Sequence, residues 1–172
     1  MMKTTVVIDL EQFTKDGKVP PHGERYRVKV DEKEVIFDKQ IVTGREILEK
    51  AGYRHPECHW LYQKLKDCDF EKIDLDEKVD LAKPGIEHFT VKPTEVFHYF
   101  IDGEPETTDK KSMTPNQILE AAGIMPVKDY YLVKVNGDGS QESFKDTPDV
   151  PIKMQCPAVK FVSAFRGETP VS

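Results

Sequence analysis

Apolar and polar residues alternate in the stretch where regular structure begins. Tyr26, Val28 and Val30 are separated by basic residues, a period of two that is typical of a strand with one buried face. The polar residues 31–33 interrupt this alternation, and residues 35–37 resume it. The pattern therefore predicts a β-hairpin.

A short amphipathic helix is predicted after the hairpin. Thr43 and Glu46 have the spacing of a capping box, and Gly52 suits the left-handed position that ends a helix. Ile47 and Leu48 lie on one narrow apolar stripe. Because so short a helix is only marginally stable alone, it is expected to pack on a sheet.

Three more apolar segments follow the helix. They are a strand at 60–65, a short strand near 72–73 and a last strand at 86–91, with an irregular stretch near 79–81. The resulting order is β-β-α-β-β-β, with one helix across a mixed sheet. This order is the β-grasp arrangement.

The same pattern occurs twice in the chain. Position 31 recurs at 102 and position 43 at 114, an offset of 71 in both cases. By similarity, Trp60 aligns with Tyr130, which implies that one residue is lost in the loop before that strand. A repeat of this length has the size of a small domain.

The fold class predicted from the repeat is α+β, with two tandem β-grasp domains. The predicted boundaries are an N-terminal extension at 1–23, domains at 24–92 and 96–166, and a C-terminal tail at 167–172.

Composition narrows the function classes. The net charge of −6 disfavours nucleic acid as a partner, because phosphate binding requires concentrated Lys and Arg. No apolar run has the length of a membrane span, and the start lacks a secretory signal, so a cytoplasmic location is expected. Cys58, Cys68 and Cys156 form an odd set without framework spacing, which favours reduced thiols.

The sequence offers no catalytic constellation. It contains no phosphate-binding glycine motif and no zinc-peptidase motif. The cluster His55–His59, with Cys68, suggests zinc, but strong sites pair two ligand doublets, and the second repeat has no counterpart to this cluster. We therefore predict no metal, no cofactor and no enzymatic activity.

Trp60 and Tyr62 form a candidate partner-binding patch. If Leu61 and Leu65 point toward the helix, these two aromatic residues lie on the opposite face of the sheet. The alternative is that they pack on the neighbouring repeat or on the N-terminal segment.

The N-terminal segment Thr4–Leu10 is rich in β-branched residues, which favours a strand. Such a strand would pair with an exposed edge of its own sheet or of a neighbouring molecule. Pairing with a neighbour would be head-to-tail and would build filaments. A disordered leader is the remaining alternative.

The first repeat resembles the bacterial multiubiquitin-domain family, and the second resembles it more weakly. The segments that carry the resemblance are Tyr26–Val30, Ile41–Leu48, Lys72–Leu81 and Pro84–Phe89. The resemblance implies a ubiquitin-like protein modifier that is a substrate and not a catalyst. Its implied partners are an E1-like adenylating enzyme, an E2-like conjugating enzyme and a JAB-type peptidase, with antiviral defence as the implied process.

A modifier of this kind needs a flexible tail with a terminal glycine, since glycine lets the backbone enter an adenylating active site. Arg166 and Gly167 stand where the resemblance places that end, but there is one glycine rather than two, and Glu168–Ser172 follow it. The hypothesis is cleavage between Gly167 and Glu168 and covalent attachment through Gly167. The alternatives are an inert tail on a non-covalent assembly protein and, less favoured, a sulfur carrier.

Overall fold

The computed structural model describes residues 6–167, and the chain divides into two units, residues 1–94 and 95–172. Each unit has its own buried core. Several sheets and few helices make up both units, as the predicted mixed α and β class requires. Within residues 6–167, no helix has the length and apolar character needed to cross a membrane.

Unit 1 is built around a six-stranded sheet with the order β1-β2-β8-β5-β6, in which β3 also pairs with β2. Two short strands, β4 and β7, form a separate antiparallel pair. The elements are β1 (Val7–Asp9), α1 (Leu10–Lys15), β2 (Arg25–Val30), β3 (Lys33–Phe37), β4 (Ile41–Thr43), α2 (Gly44–Lys50), β5 (His59–Leu65), β6 (Phe70–Ile73), β7 (Lys78–Asp80) and β8 (Ile86–Pro93).

The described part of the N-terminal segment packs within unit 1, which is the pairing with its own sheet that the sequence allowed. Strand β1 pairs in parallel with β2, so that Ile8 lies opposite Tyr26. Within the described residues the strand comprises Val7–Asp9, so the prediction is wrong for Val6 and for Leu10, which begins α1. Thr4 and Thr5 lie outside the described residues. The signal for this helix is Asp9, whose side chain accepts a hydrogen bond from the Gln12 amide at 3.3 Å, as an N-cap residue does.

Unit 2 repeats the architecture of unit 1 without β1 and α1. Its main sheet has the order β10-β9-β15-β12-β13, and β11 pairs with β14. The elements are β9 (Phe97–Ile101), β10 (Glu104–Thr108), β11 (Ser112–Met113), α3 (Pro115–Ala121), β12 (Tyr130–Val135), β13 (Gln141–Ser143), β14 (Ile152–Lys153) and β15 (Val159–Phe165).

The offset of 71 residues between matching positions of the two units extends further along the chain than the sequence comparison predicts. Strand β5 begins at 59 and β12 at 130, so the offset is still 71 and Trp60 corresponds to Tyr131. The predicted match to Tyr130, with a lost residue, is wrong. The inward-facing Leu61 and Leu132 fix the register, and aromatic similarity between sequences does not.

An aspartate in the first hairpin turn of each unit holds the last strand. Asp31 and Asp102 both have φ 52°, a left-handed conformation that Asp tolerates better than most residues. The Asp31 carboxylate accepts a hydrogen bond from the Val91 amide at 3.1 Å, and the Asp102 carboxylate accepts one from the Ser163 amide at 2.8 Å. The turn therefore closes the parallel contact between the first and last strands of each unit.

The start of α2 docks closely on the loop before β7. The Gly44 amide donates to the Glu77 carbonyl at 3.1 Å, and the Arg45 amide donates to the Leu75 carbonyl at 2.8 Å. A Cβ at position 44 would overlap the Asp74 carbonyl oxygen, which belongs to the backbone and cannot rotate away.

We expect Gly44→Ala to lower the free energy of unfolding by roughly 1–3 kcal/mol, because the added methyl group overpacks this contact. Helix propensity alone predicts the opposite sign. Gly137→Ala is the matched control, since a Cβ there meets nothing within 4 Å, and it should be close to neutral. Chemical denaturation of both variants tests this, and equal stability of the two would contradict the clash.

The ionisation of Glu46, near the start of α2, makes the stability of the protein depend on pH. The Glu46 carboxylate accepts a hydrogen bond from Lys39, which lowers its pKa below the usual 4.5. Burial raises this pKa, and hydrogen bonds from Thr43 lower it further. A carboxyl with a lowered pKa in the folded state stabilises the protein above its unfolded pKa. That stabilisation is lost as the pH falls through the folded pKa.

Glu46→Gln should therefore cost about 0.5 kcal/mol at pH 7, the value of a solvent-screened pair, and almost nothing at low pH. The amide keeps the capping box, as Gln117 does in α3. Denaturation curves at both pH values measure the difference, with Lys39→Gln as the background in which it should shrink, because only the Thr43 contacts remain. A difference that does not change with pH would assign the effect to packing.

Candidate functional site

One face of the unit 1 sheet carries the residues predicted to bind a partner. Along β5, Leu61 and Gln63 are buried, and Trp60, Tyr62 and Lys64 point to the opposite face, half-buried. Pairing with β6 and β8 adds outward residues on both sides. We call this face the outer patch, and it consists of Trp60, Tyr62, Lys64, Phe70, Lys72, His88, Thr90 and Lys92.

Lysines cover the aromatic rings of the outer patch. The Lys72 Nζ lies 4.3 Å from the centre of the Trp60 ring, and the Lys92 Nζ lies 5.4 Å from the centre of the Tyr62 ring. Both distances are those of cation–π pairs. Phe70 is 51% exposed. The structure thus places Trp60 and Tyr62 on the outward face, and their binding of a partner stays a prediction.

The outer patch is positively charged, although the chain as a whole has a net charge of −6. Its cross-strand rows contain three lysines and no carboxylate. The nearest acidic contact lies at the border, where the Lys64 Nζ is 3.9 Å from the Glu87 carboxylate. Lys64 also donates to the Leu65 carbonyl at 2.9 Å and to the Cys68 carbonyl.

Unit 2 has the same face with different side chains. The strand pairings of β12 with β13 and β15 match those of β5 with β6 and β8. The eight matching residues are Tyr131, Val133, Val135, Gln141, Ser143, Lys160, Val162 and Ala164. All three lysines of the outer patch are therefore replaced by uncharged residues in unit 2.

The end of β15 is fastened by Arg166. Its amide donates to the Asp129 carbonyl at 2.7 Å, and its guanidinium donates to the carbonyls of Tyr130 and Lys145 at 3.0 and 2.8 Å. The guanidinium also lies 5.6 Å from the centre of the Tyr131 ring. Gly167 follows directly and is exposed, and Glu168, the other half of the predicted cleavage site, lies outside the described residues.

Gly167 lies close to the ring of Phe165. A Cβ at position 167 would overlap that ring, which is 63% exposed and packs edge-on against Tyr130 at 5.6 Å. Because the ring can turn toward solvent, Gly167→Ala is a tolerable substitution. It nevertheless disturbs Phe165, and a test of Gly167 must control for this.

The His55–His59 cluster shows no metal site. The His59 ring packs at a tilt of 56° against Tyr53, with ring centres 4.5 Å apart, and burial lowers the pKa of its imidazole, which favours the neutral ring. Between residues 6 and 167, no group of three or more His, Cys, Asp or Glu side chains is arranged to hold a metal ion.

The cysteines differ from the expectation of reduced thiols. Cys68 is a free, exposed thiol. Cys58 and Cys156 are disulfide-bonded, so the expectation is wrong for these two. The sequence spacing alone could not distinguish a free thiol from a bonded one.

Sequence reasoning identified Trp60 and Tyr62 of the outer patch but missed Phe70 and the cations. The alternation along β5 was enough to place Trp60 and Tyr62. Lys72 and Lys92 reach those rings from neighbouring strands, so the cross-strand register is needed to find them. The sequence marks Arg166 only by its position before Gly167, because its partners Tyr130 and Lys145 are distant in sequence.

Comparison with known proteins identifies the first unit. The multiubiquitin family model matches residues 26–94, from the second residue of β2 to the residue after β8. These residues form a multiubiquitin domain, which confirms the resemblance predicted for the first repeat. A comparison with curated proteins finds none that matches the chain.

Arg166→Ala should release the end of β15. The substitution removes two hydrogen bonds from a charged donor and one cation–π contact, so we expect amide exchange at position 166 to be roughly tenfold faster. Arg54→Ala, at an exposed arginine of unit 1, is the control and should leave that exchange rate unchanged. Unaltered protection in Arg166→Ala would mean that the guanidinium does not hold the tail.

Proposed function

We propose that this chain, whose residues 26–94 are a multiubiquitin domain, is a ubiquitin-like protein modifier conjugated through its C-terminal tail. The observation that carries the proposal is this domain match, joined to a glycine two residues beyond β15, the last strand within residues 6–167. In this role the protein is a substrate of conjugating enzymes and not a catalyst.

We further propose that both units are β-grasp domains. In each unit a hairpin is followed by a capped helix of seven residues and by an antiparallel strand pair. The last strand then pairs in parallel with the first strand of the hairpin, at Val30 and Phe89 in unit 1 and at Ile101 and Phe161 in unit 2. This shared order supports tandem ubiquitin-like domains.

The proposed chemistry begins with hydrolysis after Gly167. A JAB-type peptidase directs water to the Gly167 carbonyl, the bond to the Glu168 nitrogen breaks, and the tail then ends in the Gly167 carboxylate. An E1-like enzyme joins that carboxylate to the AMP portion of ATP and releases pyrophosphate. An enzyme cysteine thiolate then displaces AMP to give a thioester, and an amine of the target displaces the thiolate of the E2-like enzyme to form the amide bond. Because adenylation requires ATP, the proposal places the protein in the cytoplasm.

Arg166 would control access to the cleavage site. A peptidase binds its substrate as an extended segment, so it needs several free residues before the bond it cuts. Here Arg166 and the strand before it are held to β12 and neighbouring carbonyls. Cleavage after Gly167 therefore requires that the arginine first leave its place.

The second candidate function is a non-covalent assembly protein that exchanges its N-terminal strand with neighbours. The observation relevant to it is that β1 pairs with β2 of its own unit, and that Ile8 and Leu10 belong to the unit 1 core. Exchange would have to break this pairing. The modifier needs no such rearrangement, and we therefore rank it first.

Intact mass after co-expression with an E1-like enzyme, an E2-like enzyme and a JAB-type peptidase tests the modifier. We expect loss of Glu168–Ser172 and then a covalent adduct, and Gly167→Ala should abolish the adduct. Phe165→Ala is the control for the disturbed ring: it removes the same aromatic contact, keeps Gly167, and should still be conjugated. An unchanged mass beside demonstrably active enzymes would overturn the proposal and favour the assembly protein.

A further inference from the structure

We infer that the outer patch of unit 1 binds an acidic polypeptide segment that carries an apolar side chain. The inference does not depend on the conjugation proposal, because it concerns a sheet face and not the tail. It rests on three observations: the comparison between the two units, the charge of the patch and the spacing of its lysines.

The comparison with unit 2 shows that the fold does not require these lysines. Both units have the same strand order and the same cross-strand rows, yet Ser143 stands at the position of Lys72 and Ala164 at that of Lys92. Gln141 likewise replaces Phe70. The strand arrangement therefore does not require the cations or the exposed ring, which leaves them available for a partner.

Charge complementarity identifies the chemistry of the partner. Lys72 and Lys92 are exposed, so each ammonium group can form an ion pair with a carboxylate of the partner while it remains over its ring. The half-exposed Phe70 offers an apolar surface beside them. A segment with carboxylates on either side of an apolar side chain satisfies both features.

The spacing of the lysines sets the spacing of the carboxylates. Lys72 and Lys92 lie two strands and one outward row apart, about 12 Å at the level of the backbone. This distance is spanned by three to four residues of extended chain. The partner segment should therefore carry acidic residues three or four positions apart.

Nucleic acid fits the surroundings less well. Aromatic rings and lysines also bind single strands, but a run of phosphates would extend beyond the patch. The chain around it has a net charge of −6, which repels a long polyanion more than a short peptide.

The test uses the full chain and a 12-residue peptide with two glutamates four positions apart around a central leucine, among Ser and Gly. Trp60 is the only tryptophan, so its fluorescence reports on the patch directly, and amide shifts on β5, β6 and β8 map the contact. We expect saturable binding that is lost when the peptide glutamates are glutamines. The variant K72Q/K92Q should weaken it roughly tenfold.

The matched control is K110Q/K111Q, which removes the same charge from two exposed lysines of unit 2 and should change the affinity by less than about twofold. An equal loss of peptide affinity in both double variants would show that the lysines act only through long-range electrostatic attraction, and it would overturn the inference. So would the absence of any change at Trp60, or tighter binding of an oligothymidine than of the peptide. None of these outcomes bears on tail processing, which has its own test.

Discussion

The contact on which each unit depends is the parallel pairing of its last strand with the first strand of its hairpin. It is held by Asp31 in unit 1 and Asp102 in unit 2, whose carboxylates bind amides of the last strand. The pairing places the last strand between the hairpin and the antiparallel pair that follows the helix. The last strand of each unit therefore ends beside the short turn that precedes β5 or β12. In unit 1 the Thr94 amide donates to the carbonyl of residue 58, and in unit 2 the Arg166 amide donates to the carbonyl of residue 129. The outer patch and the position of the tail both follow from this closure.

What the sequence could predict depended on how local each signal is. The capping boxes at Thr43 and Thr114 act within one helical turn, and both helices lie where the sequence places them. The register of β12 was mistaken by one residue, because two tyrosines compete for the position of Trp60 and only burial decides between them. The lysine rows of the outer patch arise from three strands at once, so no pattern along a single strand could reveal them.

The two units have diverged in side chains while keeping the backbone. At one matching position both carry an aromatic ring under a cation: Trp60 lies under Lys72, and Tyr131 lies near Arg166 and Lys145. In unit 1 the cation comes from the neighbouring strand and leaves a charged surface around the ring. In unit 2 one of the cations, Arg166, directly follows the last residue of β15. The same kind of contact thus lies in the outer patch in unit 1 and holds the end of β15 in unit 2.

The strength of that fastening bears on how a tail of this design could be processed. Two hydrogen bonds from a charged donor and one cation–π contact, all partly exposed to solvent, amount to about 2 kcal/mol. A free energy of this size leaves Arg166 detached from the start of β12 in roughly a few per cent of molecules. This fraction suffices for an enzyme that captures the open form, and β15 need not unfold beyond its last residues. A buried fastening would withhold Gly167 from every enzyme, and a free tail would offer it to any peptidase. Modest strength is therefore compatible with selective processing.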